Sequence, residues 1–156
     1  MRRRSAFFIA VAGSIAMLAA VAQTPPALTV TGAWARATAP GAPVGAVYLV
    51  IDNAAGQADR LLAVSAERAE RCEVHIMVHD GDLMKMRRVD PLPVAAGERV
   101  VLEPGGTHVM LMGLKSPLVE GESLPLVMNF EHAGTRRVEA QVVPATATDA
   151  PSGHQH

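Results

Sequence analysis

An all-β sandwich or barrel is the fold this chain predicts, and three observations carry that expectation. Apolar and polar residues alternate with period two through most of the chain from Leu28 onward. Gly, Pro, Asn and Asp break the alternation at short intervals, and no long stretch of 3.6-residue period follows the amino-terminal segment. Leu28–Ala33 is the first candidate strand, and the turn sequence APGAP separates it from Val44–Asn53. DNAAGQAD ends that strand before Arg60–Ser65. SAERAERCE can hold a short helical turn and little more. Cys72–Val78 and Leu83–Val89 flank HDGD, which reads as a hairpin turn. Glu98–Leu102 and His108–Met112 flank EPGGT, and Ser123–Phe130 and Arg136–Val143 flank EHAGT. Short strands at this spacing belong to a sandwich or barrel.

The chain opens MRRRSAFFIAVAGSIAMLAAVA. Three arginines, an apolar stretch from Ala6 to Ala19 and the small-x-small run Ala20-Val21-Ala22 have the form of a secretory signal peptide, cleaved after residue 22. The alternative is an amino-terminal anchor, which would face the same compartment; the stretch is short for a span. Residues 23–143 then form one domain, with a flexible tail at 144–156 that is small, polar and proline-bearing. No second apolar run approaches spanning length. Loss of the three arginines moves the net charge from −1 to −4. A mildly acidic domain with one Trp, one Tyr and no basic tract is not a nucleic-acid binder. Cys72 is the sole cysteine, so an exported domain of this sequence has no internal disulfide. A buried structural thiol is its simplest role.

Catalytic motifs are absent. The serines at 65, 116, 123 and 152 lack a G-x-S-x-G elbow, Gly105-Gly106 lacks the lysine of a phosphate loop, and Asp80-Gly81-Asp82 lacks the ligand ladder of an EF-hand. No enzyme is expected. Histidine and methionine remain. Residues i and i+2 share a face of a strand. His75 and Met77 therefore point the same way, as do Met84 and Met86 on the next strand, and His108, Met110 and Met112 on a third. Thioether sulfur is soft and neutral and suits Cu(I) better than Mg²⁺, Ca²⁺ or Zn²⁺. It needs no deprotonation and forms no disulfide in an oxidising compartment. Methionine is also a common core filler. Pattern alone leaves a metal site and a methionine-packed core both open.

The spacing His75-x10-Met86-x21-His108-x-Met110 resembles the H-x10-M-x21-H-x-M motif of the PCu(A)C-type periplasmic copper chaperones. AWARATAPGAPVGAVYLVIDN, LMKMR and PGGTHVMLMGLKSPLVEG resemble the same family, so the likeness spans Leu28 to Val143. The resemblance implies a cupredoxin-like Greek-key β-sandwich or barrel. It implies a Cu(I) site of His75, Met86, His108 and Met110. It also implies a periplasmic location and delivery of copper to the binuclear site of cytochrome c oxidase subunit II, directly or with a Sco-type thiol protein. The implied protein is a monomer that hands copper over by ligand exchange. A periplasmic copper-buffering or resistance protein would share the site and differ only in destination.

Around that motif, Met77 is the most credible spare ligand, yet packing is the simpler role for it, as for Met84 and Met112, which are read as packing behind Met86 and Met110. His79 is read as a solvated turn residue that could also shield or assist the site, and His132 as an ordinary turn residue. His154 and His156 form a His-x-His tail able to hold Cu(II) weakly. A blue-copper centre using Cys72 and His75 is disfavoured, because those residues face opposite sides of one strand and the mature chain has no histidine upstream of Cys72. An enzyme such as a copper oxidase, and a metal-free β-sandwich module, are the remaining rivals.

Overall fold

The computed structural model describes residues 27–150. Ten strands and no helix occur among them. They are β1 (Leu28–Arg36), β2 (Val44–Asn53), β3 (Asp59–Ser65), β4 (Ala69–Asp80), β5 (Leu83–Arg88), β6 (Leu92–Val94), β7 (Arg99–Leu102), β8 (His108–Leu114), β9 (Ser123–Phe130) and β10 (Gly134–Val143). One sheet runs β5-β4-β8-β2-β1-β10-β9-β3-β6, with β7 paired to β2 beyond the end of β8. β1 and β10 pair in parallel, and the other pairs are antiparallel. The architecture is the expected cupredoxin-like all-β fold.

All nine strands expected from the alternation are present, and β6 is the tenth. Pro91 and Pro93 hide it, since proline cannot donate to a strand ladder and argues against a strand unless that strand is an edge, where β6 lies. The short helical turn expected in SAERAERCE is absent. Ala69 N–H donates to the Ala66 carbonyl at 3.1 Å, closing a tight turn, and β4 begins at once.

The period-two pattern sets which face is buried. Val47, Leu49 and Ile51 of β2 point into the main core with Val109 and Leu111 of β8, Val74 of β4, and Leu124, Leu126 and Met128 of β9. Each such side chain contributes about 1.5–3 kcal/mol by leaving water. The alternate residues of β4 and β8 point to the other face. There Trp34 and Tyr48 form a small second cluster with Val143. A bulge in β1 between Thr31 and Trp34 makes this possible. Gly32 supplies the positive φ of 59° that the bulge needs. The register shift turns Trp34 against Tyr48, with ring centroids 4.5 Å apart.

The segment after β10 differs from the flexible tail that its composition predicts from Pro144 onward. Its first residues turn back on the sheet. Ala147 N–H donates to the Pro144 carbonyl at 3.0 Å, Arg36 Nε donates to the Ala147 carbonyl at 2.8 Å, and Ala147 packs on the Trp34–Tyr48 cluster. The signal segment 1–22 and the pair His154 and His156 lie outside the described residues.

One buried acid ties the far end of the fold together. Asp59 opens β3 and is buried. Its Oδ1 accepts from the backbone N–H groups of Arg60 (2.7 Å) and His132 (3.0 Å), and Oδ2 accepts from that of Ala133 (2.8 Å). Burial by itself pushes the carboxyl up. The three N–H groups, with a small contribution from the His132 ring, outweigh it and hold the group below its ordinary value. A depressed carboxylate stabilises the fold above its unfolded pKa of about 3.9 and ceases to do so as pH falls through the folded value. Asp59→Asn is therefore expected to lower stability at pH 7 and to flatten the acid limb of the stability profile. Urea unfolding at pH 7 and pH 3 checks both.

Candidate metal centre

Strands β5, β4 and β8 are consecutive in the sheet, so the three donor-bearing strands lie side by side. His75 is directly opposite His108 across β4 and β8, and opposite Arg88 across β4 and β5. Residues directly opposite in an antiparallel pair share a face. The two imidazole centroids are 6.3 Å apart with ring planes at 41°. Glu73 opposes Met110 in the row on one side of this pair. Met77 opposes Met86 in the row on the other side, and His79 opposes Met84 one row further out. All four motif residues thus lie on one face, outside the main core, with the two thioethers flanking the imidazole pair.

Each ring has one nitrogen engaged. His108 is 8% exposed, and its Nδ1–H donates to the Gly106 carbonyl at 3.0 Å. That contact selects the tautomer with a lone pair on Nε2. His75 is held the other way round. Its Nε2–H donates to Glu73 Oε2 at 2.9 Å, while its Nδ1 is buried without a hydrogen-bond partner. A buried polar atom left alone costs about 1–3 kcal/mol. A soft cation bound at this lone pair would remove that cost. The aromatic cluster backs the site: the Tyr48 centroid is 6.4 Å from that of His108, and the Arg36 guanidinium lies 5.7 Å over the Tyr48 ring.

Glu73 is the acidic residue beside the imidazole pair, on the same face. It pairs with Arg71 Nε at 2.9 Å and Arg88 Nη1 at 3.6 Å, and its side chain is nearly covered. The His75 hydrogen bond, followed by the charges of Arg88 and Arg71, holds its carboxyl below the ordinary range against the opposing effect of burial. A ligand set of two imidazoles and two thioethers is neutral, so a bound monovalent ion keeps its charge. Glu73 accepts the Nε2–H of His75 and so makes the other ring nitrogen a stronger donor. Glu73→Ala is expected to weaken soft-metal binding by about 10–100-fold, the usual effect of losing an outer partner of a ligating histidine. Competition against a chromogenic chelator measures it.

The other singled-out residues fall in different places. Met112 Sδ takes a contact from Arg71 Nη2 at 3.5 Å and lies a row beyond Met110, consistent with a packing role. Met84 differs from expectation. It and Met86 are each 47% exposed on an edge strand that is exposed along its whole length, so Met84 fills no core. Met77 is half-buried and His79 is exposed near the end of β4. His132 belongs to the other end of the molecule, beside Glu131 and the Asp59 loop. Cys72 opposes Leu111 and faces the core, away from His75, and burial pushes its thiol up. Among the described residues, no three His, Cys, Asp or Glu side chains cluster as a harder metal would require. Glu73 was legible in principle, because it stands two residues before His75 and shares its face. The Gly106 carbonyl and the Tyr48 ring come from turn geometry and sheet order, which spacing does not reveal.

Fold and face together define an all-β, cupredoxin-like domain with a soft imidazole–thioether surface. The family model described as "Putative lipoprotein LpqE-like" matches residues 28–142, and the chain belongs to this PCuAC-type family. A relative in Leifsonia xyli subsp. xyli (strain CTCB07), Lxx21020, carries the same lipoprotein description. It is 27% identical over 143 residues, 88% of this chain and 85% of its own. Among solved structures, the copper-bound PCuAC domain from PmoF2 is similar with a TM-score of 0.67 and 25% identity, over 76% of this chain and 93% of that one. The solution structure of CuI-DR1885 from Deinococcus radiodurans is similar with a TM-score of 0.63 and 30% identity, over 80% of this chain and 83% of that one.

Proposed function

We propose that this protein is an exported, periplasmic Cu(I) chaperone whose ion is held by His75, Met86, His108 and Met110. The observation that carries the reading is the imidazole pair. Two histidines stand directly opposite each other, each with one nitrogen hydrogen bonded, and the second nitrogen of His75 is buried and unpartnered. Thioethers on either side complete a donor set suited to Cu(I). The copper of the PmoF2 domain supports the metal, and the Cu(I) of CuI-DR1885 supports its oxidation state.

The donors also suit release. They are neutral, and Met86 is exposed on an edge strand, so an incoming thiolate can displace one donor at a time. Binding and hand-over need no catalytic acid, base or nucleophile. The acceptors that fit the family resemblance are the binuclear copper site of cytochrome c oxidase subunit II and a Sco-type thiol protein. The lipoprotein description shared by the family and the Leifsonia relative supports export. Among the described residues no helix is long and apolar enough to cross a membrane.

The test is an anaerobic Cu(I) titration against a chromogenic chelator, with X-ray absorption at the copper edge. One tight equivalent with mixed nitrogen and sulfur neighbours is expected. Absence of Cu(I) binding would reduce the family membership to a likeness of fold.

A further inference from the structure

Past His75, β4 leaves the body of the sheet. Residues 69–75 pair with β8, which begins at His108, while Ile76–Asp80 pair only with Leu83–Arg87 of β5. The result is a two-stranded ribbon that continues the face of the imidazole pair. On that face the register sets Met77 opposite Met86 and His79 opposite Met84. Opposite Cβ atoms in such a pair are about 4.5–5.5 Å apart, and the two rows are separated by about 7 Å. Four flexible soft donors therefore surround one small area.

Three features set this area apart from ordinary strand surface. Met84 and Met86 are each 47% exposed, although strands favour β-branched and aromatic side chains over unbranched ones. The cations of the ribbon, Lys85 and Arg87, alternate with the methionines and project from the other face, where Lys85 pairs with Asp80. The nearest cation on the donor face is Arg88, opposite His75 one row inward, and its guanidinium pairs with Glu73 and Asp90, so its charge is already matched at that row. The donor types, thioether and imidazole, also match those of the proposed inner site.

We propose that Met77, His79, Met84 and Met86 form a second, weaker Cu(I) site on the ribbon, which collects the ion and passes it to His75 and His108. The proposal rests on the Cu(I) reading of the imidazole pair. Met86 is common to both sites, so transfer exchanges one neutral donor for another around it. Copper stays monovalent throughout, and no electron or proton moves.

The experiment is an anaerobic Cu(I) titration of the full chain carrying ¹³C-methyl methionine, followed by NMR of the methionine methyls and the histidine rings. In the wild type the first equivalent should shift His108, Met110 and Met86, and the second, held by Met77, Met84 and His79 while Met86 stays with the first ion, should shift those three. H79A/M84A should keep the first equivalent and lose the second. H108A should lose the first and retain the ribbon shifts. The proposal is overturned if a second equivalent leaves Met77 and Met84 unmoved, if it appears at His154 and His156 instead, or if H79A/M84A titrates as wild type. Ribbon shifts without any response at His75 and His108 would remove the imidazole site and leave the ribbon site standing. No Cu(I) binding of any kind would remove both.

Discussion

His108→Ala is expected to lower the affinity of the tight site for Cu(I) by more than about a hundredfold, since loss of an outer partner alone costs about 10–100-fold. Three details place His108 above the other donors. It is the least exposed of the four proposed ligands, and the Gly106 carbonyl fixes its tautomer. It is also held between the rings of His75 and Tyr48. Met86→Ala should weaken binding less, because that side chain is half in water and must be drawn over the imidazoles. The folded state should survive both changes. For His108 the cost to stability is about 1–3 kcal/mol, because the buried ring leaves a gap and the Gly106 carbonyl loses its donor. Chelator competition with urea unfolding separates loss of metal from loss of fold. His132→Ala, at the opposite end of the molecule, is the control and should leave Cu(I) binding unchanged.

Met128→Ala should do the reverse. Met128 is fully buried in β9, opposite Val64 of β3 and Arg136 of β10. Its truncation opens a cavity in the main core and should cost about 2–5 kcal/mol of stability. The denaturant midpoint should fall with an unchanged slope, and Cu(I) affinity should be retained. The contrast between Met86 and Met128 is informative because both belong to the same residue type. Strand parity, not composition, decides which methionine packs and which is available to a metal.

That parity explains how much is legible in the sequence. The alternation in VGAVYLVIDN and SLPLVMNF marks β2 and β9, because each strand buries one face against the main core. Spacing alone also puts His108, Met110 and Met112 on one face. It does not reveal that β4 sits between β5 and β8, which is a property of chain topology. Nor does it distinguish Met84, exposed on an edge, from Met112, covered by Arg71. Both are same-face neighbours of a motif methionine, and only sheet position separates them. β6 is not legible, because Pro91 and Pro93 obey an edge-strand rule that cannot be applied until the edge is known. The docking of Ala147 is hidden for a similar reason. A small polar segment reads as disordered unless a surface such as Trp34–Tyr48 is there to receive it.

The Gly32 bulge gives the molecule an optical property. By turning Trp34 onto Tyr48, it places the only indole of the chain, the only phenol and the His108 imidazole as successive, mutually tilted neighbours. Indole emission in this protein therefore comes from a chromophore two rings from the proposed copper ligand. Filling of the inner site should register in the fluorescence of the unlabelled protein, whereas metal confined to the ribbon should leave it unaltered. Order of loading can thus be followed in real time, without an added dye.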